Sequence, residues 1–237
     1  MSHRTFSTSR ARSRGLTLIE MIIAVTLVAA IISGLLISMR TGLAAYQRVN
    51  QRLDDNRRAM GLDQALHRQL GGMMPESAPC GVGAARIPVF DGTPAWLRFV
   101  SSSSLAEGAR GYPRIIEYLV DPDPRGGVRL MMNERVYSGP ASLLPLCANN
   151  GFLPVTLNPQ SFEMAGRLAY CRFGYRVTAP DFVSGGDWLP IWQAANLPRA
   201  VRIEMAPIDS GPTRLPMLTV NVPVHITRDV LGPYADN

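Results

Sequence analysis

The chain has 237 residues, 46% of them hydrophobic and 18% charged, which is enough for one globular domain with extensions and too apolar for a disordered tail. Its formal charge is +6, yet all 24 basic residues are Arg, and Arg4, Arg10, Arg12 and Arg14 fall in the first fifteen positions, which hold no acid. The remainder carries 20 Arg against 18 acids, so the pI near 9.7 reflects mostly that leader and gives little support to a nucleic-acid surface. A multi-span membrane protein is excluded, because only one stretch is long and apolar enough to cross a bilayer.

That stretch follows the leader directly. Residues 1–15 are polar and basic and end in Gly15; Leu16 to Met39 is then apolar apart from Glu20 and a few small polar residues. Its 24 residues span about 36 Å as a helix, sufficient for a hydrocarbon core. The leader arginines place the N-terminus in the cytoplasm and the bulk of the chain outside. The run is too long for a secretory h-region, and Ile37-Ser38-Met39 is no small-residue cleavage site. A plain anchor leaves Glu20 unexplained, since a carboxylate there costs a few kcal/mol on insertion scales and calls for a partner.

Gly15-Leu16-Thr17-Leu18-Ile19-Glu20, between a short basic leader and an apolar helix, resembles the prepilin motif of type IV pilins and type II secretion pseudopilins. The resemblance implies cleavage by a prepilin peptidase after Gly15, methylation of the new N-terminus at Leu16, and an assembly role for Glu20. In that family the carboxylate pairs with the α-amine of an adjacent subunit. Leu16 departs from the usual Phe at the first mature position.

The helical pattern continues past Arg40. Leu43, Tyr46, Val49, Leu53, Met60, Leu66 and Leu70 recur at three-to-four-residue spacing, with Arg48, Arg52, Arg57, Arg58 and Arg68 between them, and no Pro occurs before Pro75. Gly71-Gly72 is the expected stop. The second half of this helix is expected against a globular domain, its remaining apolar positions and Arg48 and Arg52 facing partners. Gly34 and Gly42 either loosen the helix or permit close packing.

After Met74, Pro and Gly become frequent and short β-rich runs appear: Ile87–Phe90, Trp96–Val100, Ile115–Val120, Val128–Met132, Ala169–Val177, Val201–Met205 and Leu218–Ile226. Tyr170 to Val177 alternates as a half-buried antiparallel strand does. Ser101–Ser104, Asp121–Gly127 and Ser184–Gly186 read as loops. No crossover helices separate the runs, so the expected fold is α+β, a long N-terminal helix packed on antiparallel sheet. The implied divisions are a leader (1–15), a transmembrane and assembly helix (16–39), an amphipathic continuation (40–74) and a β-rich periplasmic domain (75–237).

No motif carries chemistry. His67 lies in the amphipathic helix and His225 in the last predicted strand, neither with a Cys or acid at a useful ligand spacing. There is no nucleophile elbow, P-loop or H-E-x-x-H, and Asp121 and Asp123 alternate with prolines as a rigid turn rather than a calcium loop. No enzyme, metal or cofactor is implied. The three cysteines match no metal spacing. An oxidising compartment permits one disulfide, for which Cys80 and Cys147, in loop-like sequence, are favoured over the strand residue Cys171.

Phe173-Gly174-Tyr175, Trp188, Trp192, Leu197-Pro198 and Ala200–Met205 resemble the C-terminal half of minor pseudopilin J, and Leu62–Gln69 is loosely similar to its helix end. Ile37 stands where major subunits usually carry Pro. This resemblance implies a type IV pilin-like fold and a place, with minor pseudopilins I, K and H and the major pseudopilin, at the tip of a periplasmic pseudopilus rooted in the inner membrane. A minor type IV pilin used in adhesion or DNA uptake is the alternative. Trp188 and Trp192 are either core residues of a long loop or a recognition face.

Overall fold

The computed structural model describes residues 17–105, 111–148, 151–177, 187–194, 196–208, 218–226 and 230. Helix α1 runs Leu18–Gly71 without a break, as the absence of proline and the run of good helix formers dictate. The chain divides into two compact units, Met1–Leu53 and Asp54–Asn237. In the first, every described side chain from Leu18 to Met39 is exposed, and nothing lies within 4 Å of a Cβ built on Gly34 or Gly42.

The second unit is built on one antiparallel sheet. In chain order its strands, with those of two small ribbons, are β1 (Met73–Met74), β2 (Ser77–Ala78), β3 (Ile87–Pro88), β4 (Asp91–Gly92), β5 (Trp96–Ser101), β6 (Arg114–Pro122), β7 (Val128–Val136), β8 (Cys147–Ala148), β9 (Gly151–Phe152), β10 (Phe162–Arg176), β11 (Trp188–Leu189), β12 (Ala200–Pro207) and β13 (Leu218–Pro223). The sheet order is β1-β5-β6-β7-β10-β12-β13, with β4 added to β5 and β11 to β10; β2–β3 and β8–β9 form separate pairs. The fold is α+β, a long N-terminal helix followed by antiparallel sheet, consistent with a pilin-like architecture.

The two faces of the sheet are covered differently. On one, Leu66 and Leu70 of α1 and the half-buried Leu62 pack with Phe99, Ile116, Tyr118, Leu130, Met132, Phe173, Tyr175, Val201, Ile203 and Val220. Full burial of each large side chain contributes about 1.5–3 kcal/mol. Phe90 meets Tyr175 edge-on, with ring centroids 5.8 Å apart. A Cβ on Gly92 would lie 2.3 Å from the Tyr175 ring, so no larger residue fits there. On the other face, Val100 and Ile115 are covered by Ala78, Cys80, Val89, Tyr137, Leu143 and Leu146.

The end of α1 is closed by the serine run. Ser101 Oγ donates to the Gln69 carbonyl (2.7 Å), and the Ser102 amide donates to that of Gly72 (2.8 Å). These bonds satisfy carbonyls that a helix terminus leaves open. A Cβ on Gly72 would crowd both serine hydroxyls at 3.0 Å. Buried Tyr118 hydrogen-bonds Gln69 in the same region, where burial pushes its phenol well above the usual range.

Several expectations are corrected. Ile87–Phe90 is not one strand: Val89 and Phe90 fall between β3 and β4, and their side chains enter the two different cores. Asp121 and Pro122 belong to β6 rather than a loop, because Asp121 faces Arg129 across the ladder with a 2.6 Å ion pair. Strand β10 begins at Phe162, seven residues before Ala169, and accommodates two register shifts, with Arg167 at φ 53°. Strand β13 stops at Pro223, so His225 lies beyond it and is exposed. Of the periodic positions on α1, Leu43, Tyr46, Val49, Leu53 and Met60 are exposed. Ser184–Gly186 lie outside the described residues.

Candidate functional site

Thr17 caps the apolar helix. The Glu20 amide donates to the Thr17 carbonyl (3.0 Å) and meets its hydroxyl at 3.4 Å, the arrangement of an N-cap residue and the third helical position. Glu20 therefore stands in the first turn, where the helix dipole favours a negative charge. Gly15 and Leu16 lie outside the described residues. From Leu18 onward the helix is long and apolar enough to cross a membrane, with a mean hydropathy of 2.6 over its most apolar window and none of that window buried.

The remaining sequence-derived positions are scattered. Arg48 is exposed on α1; Arg52 lies in the same helix, its side chain outside the description. Cys80 and Cys147 are joined in a disulfide with Cα atoms 5.1 Å apart, which ties the β2–β3 region to the 3-10 turn Pro140–Leu146 over the sheet. Cys171 is a free, buried thiol whose pKa burial pushes up to about 12.

The two tryptophans separate. Trp192 is only 3% exposed, packed in the helix-side core, and its indole N–H donates to the Asn196 carbonyl at 2.8 Å. It is a core residue, the first of the two alternatives left open for it, so the partner-facing alternative does not hold at Trp192. Trp188 is half-buried beside β10, with the Arg202 guanidinium 3.8 Å and that of Arg176 6.0 Å from its ring centroid. His67 has an acid after all: Asp63, one turn earlier, with Oδ1 3.5 Å from Nδ1. Both side chains are over 40% exposed, and among the described residues no group of three His, Cys, Asp or Glu gathers as a metal cage.

Three polar arrangements carry no sequence motif. Arg98 and Glu117, opposite each other on β5 and β6, form a 2.7 Å ion pair with each side chain 1% exposed. Asn133 on β7 completes the row by donating to Glu117 at 3.0 Å. At the β6–β7 turn, the buried Asp123 carboxylate accepts from the Arg125 side chain, the Arg125 amide (2.9 Å) and the Arg167 amide (2.8 Å), which hold its pKa below the usual carboxylate range. On β10 and β12, Arg172 and Arg202 share Glu204, at 2.5 and 3.0 Å, and lower its pKa. The alternation from Tyr170 to Val177 already sets Arg172 and Arg176 on one face; Glu204 and Trp188 join them only through tertiary pairing.

Residues 10–36 match the family model described as the prokaryotic N-terminal methylation motif. No curated protein matches the chain. The motif supports a type IV pilin or pseudopilin, and it covers the part of the chain that holds Gly15, Leu16 and Glu20.

Proposed function

We propose that this chain is a minor pseudopilin of a type II secretion system, most similar to pseudopilin J, acting as a structural subunit rather than an enzyme. The observation that carries the reading is the prepilin-type segment, Gly15 to Glu20 followed by an uncovered apolar helix, within the matched residues 10–36. Ile37 in place of proline favours a minor subunit, and the Trp188 to Met205 pattern favours pseudopilin J.

In this reading the helix holds the subunit in the inner membrane, N-terminus cytoplasmic and Asp54–Asn237 periplasmic, until packing against other pseudopilins moves it into the filament. Prepilin peptidase releases the leader, and the α-amine created at Leu16 is the group that Glu20 of a neighbouring subunit meets. Pairing favours register more than stability, because two desolvated charges gain little while one left alone costs several kcal/mol. Pseudopilins I, K and H are the expected neighbours, with Arg48 and Arg52 steering the encounter.

Mass spectrometry of protein from cells with active peptidase tests the processing: the chain should start at Leu16, with or without one methyl group. A start beyond Met39, or an intact leader, would refute it. Glu20→Ala should insert normally and fail to co-purify with pseudopilins I and K; co-purification with pilus subunits instead would move the chain to the minor type IV pilins.

A further inference from the structure

The sheet has one half-face that no core claims among the described residues. The side of β5, β6 and β7 away from the helix is covered by the disulfide-tied segments, whereas the same side of β10, β12 and β13 carries Tyr170, Arg172, Gly174, Arg176, Arg202, Glu204, Thr219 and Asn221, all half-buried or exposed. A lone sheet of this width usually leaves such a face to solvent with interspersed charges of both signs. Here the charge is one-sided.

Arg172 and Arg202 share the single carboxylate of Glu204, and the Arg172 side chain remains 65% exposed. Arg176 Nε is buried and finds no acceptor among the described residues. Three arginines thus face one carboxylate around the Trp188 indole, which lies within ordinary contact distance, 3.7 Å, of the Cβ position of Gly174.

We propose that this face of β10 and β12 docks an acidic, extended segment of another protein, with Trp188 as the apolar anchor and Arg172 and Arg176 as carboxylate receptors. Arg172 and Arg176 are four residues apart on one strand, about 13 Å, the spacing of every second same-side residue of an extended peptide. Guanidinium forks match carboxylates in two parallel bonds, and Trp and Arg are the residue types that dominate interface energetics. Glu204 in the middle of the patch disfavours a phosphate backbone, which repeats its negative charge along the strand and is met by an uninterrupted basic stripe. The inference concerns the second compact unit and does not rest on which filament the chain joins.

The test uses the full chain in nanodiscs of zwitterionic lipid, titrated into a fluorescein-labelled peptide alternating Glu and Phe. The same peptide with Gln for Glu and a labelled oligothymidylate serve as comparisons, all read by anisotropy. The acidic peptide should bind, the Gln version about tenfold or more weaker, and Arg172→Gln, Arg176→Gln and Trp188→Ala should each weaken it about three- to tenfold with circular dichroism unchanged. Arg176→Lys should fall between, since the charge stays and the fork is lost. Equal binding of the Gln peptide, tighter binding of oligothymidylate, no binding of the acidic peptide, or indifference to Arg172→Gln, whose exposed side chain leaves the fold intact, would each overturn the proposal.

Discussion

Replacing Glu117 by Leu leaves the Arg98 guanidinium buried at 1% exposure with its carboxylate gone. What remains to Arg98 is the Leu153 carbonyl at 2.8 Å, the rings of Phe152 and Trp96 at 5.3 and 5.8 Å, and the charge of Asp91, its register partner on β4. Breaking a buried pair by removing one partner costs about 3–5 kcal/mol, and the lower half of that range applies because those contacts persist. Arg98→Met should cost less, about 2 kcal/mol, since Glu117 keeps Asn133 at 3.0 Å and Arg135 at 3.4 Å. The double variant should cost less than the sum by about 2 kcal/mol, because an apolar pair of similar volume avoids the desolvation that the charges required. Urea unfolding of a fragment starting at residue 40, which carries the whole Asp54–Asn237 unit, measures all three. A Glu117→Leu cost below about 1 kcal/mol, or strict additivity in the double variant, would show that the pair is not holding β5, β6 and the Leu153 segment together.

Replacing Cys80 and Cys147 by Ser opens a loop with a sequence separation of 67 and should cost about 2–4 kcal/mol in the same urea assay, chain entropy alone giving about 4. Asp123 has a depressed pKa, so its contribution is complete above the unfolded value near 4 and is lost as pH falls towards the folded one. Asp123→Asn should therefore show a constant stability deficit above about pH 5 that shrinks on acidification, and a deficit that grows below pH 4 would contradict the bonding at the β6–β7 turn. The Cys171 thiol, pushed up to about 12, should stay unreactive towards a disulfide reagent at pH 8 in the folded protein and react once after unfolding.

The elements that local physics fixes were legible in the sequence. A proline-free run with Gly71-Gly72 at its end gives α1 to within a residue or two, and the strands rich in β-branched and aromatic residues, Trp96–Val100 and Val201–Met205, are the central parts of β5 and β12. What stayed hidden depends on pairing between distant segments. Alternation could not tell that Trp192 enters the core while Trp188 stays at its margin, because both sit in loop-like sequence with no period to read. Amphipathic spacing marked Leu43 to Leu70 as one apolar stripe, yet burial requires an opposing surface and is complete only at Leu66 and Leu70. Arg98 and Glu117, which no local pattern links, are opposite one another only through the β5–β6 register.

The two units differ in how their apolar surface is satisfied, and that difference bears on how such a subunit would work. The Asp54–Asn237 unit covers one face of its sheet with α1 residues and the β5–β6 part of the other with disulfide-tied segments. The side chains from Leu18 to Met39 are all exposed among the described residues, so as an apolar surface they call for lipid or other helices. Exchanging lipid for helices brings little hydrophobic gain, since lipid tails are as apolar as Leu. Selection between the two environments must therefore come from close packing and from polar groups that only one of them satisfies. Within the described run from Leu18 to Met39, Glu20 is the one ionisable side chain. In the proposed assembly, lipid would leave that carboxylate without a counter-charge, whereas the α-amine of a neighbouring subunit would supply one. On that reading a subunit lacking the carboxylate would lose the term that distinguishes filament from membrane while keeping every term that holds it in the bilayer, so Glu20→Ala should separate assembly from insertion.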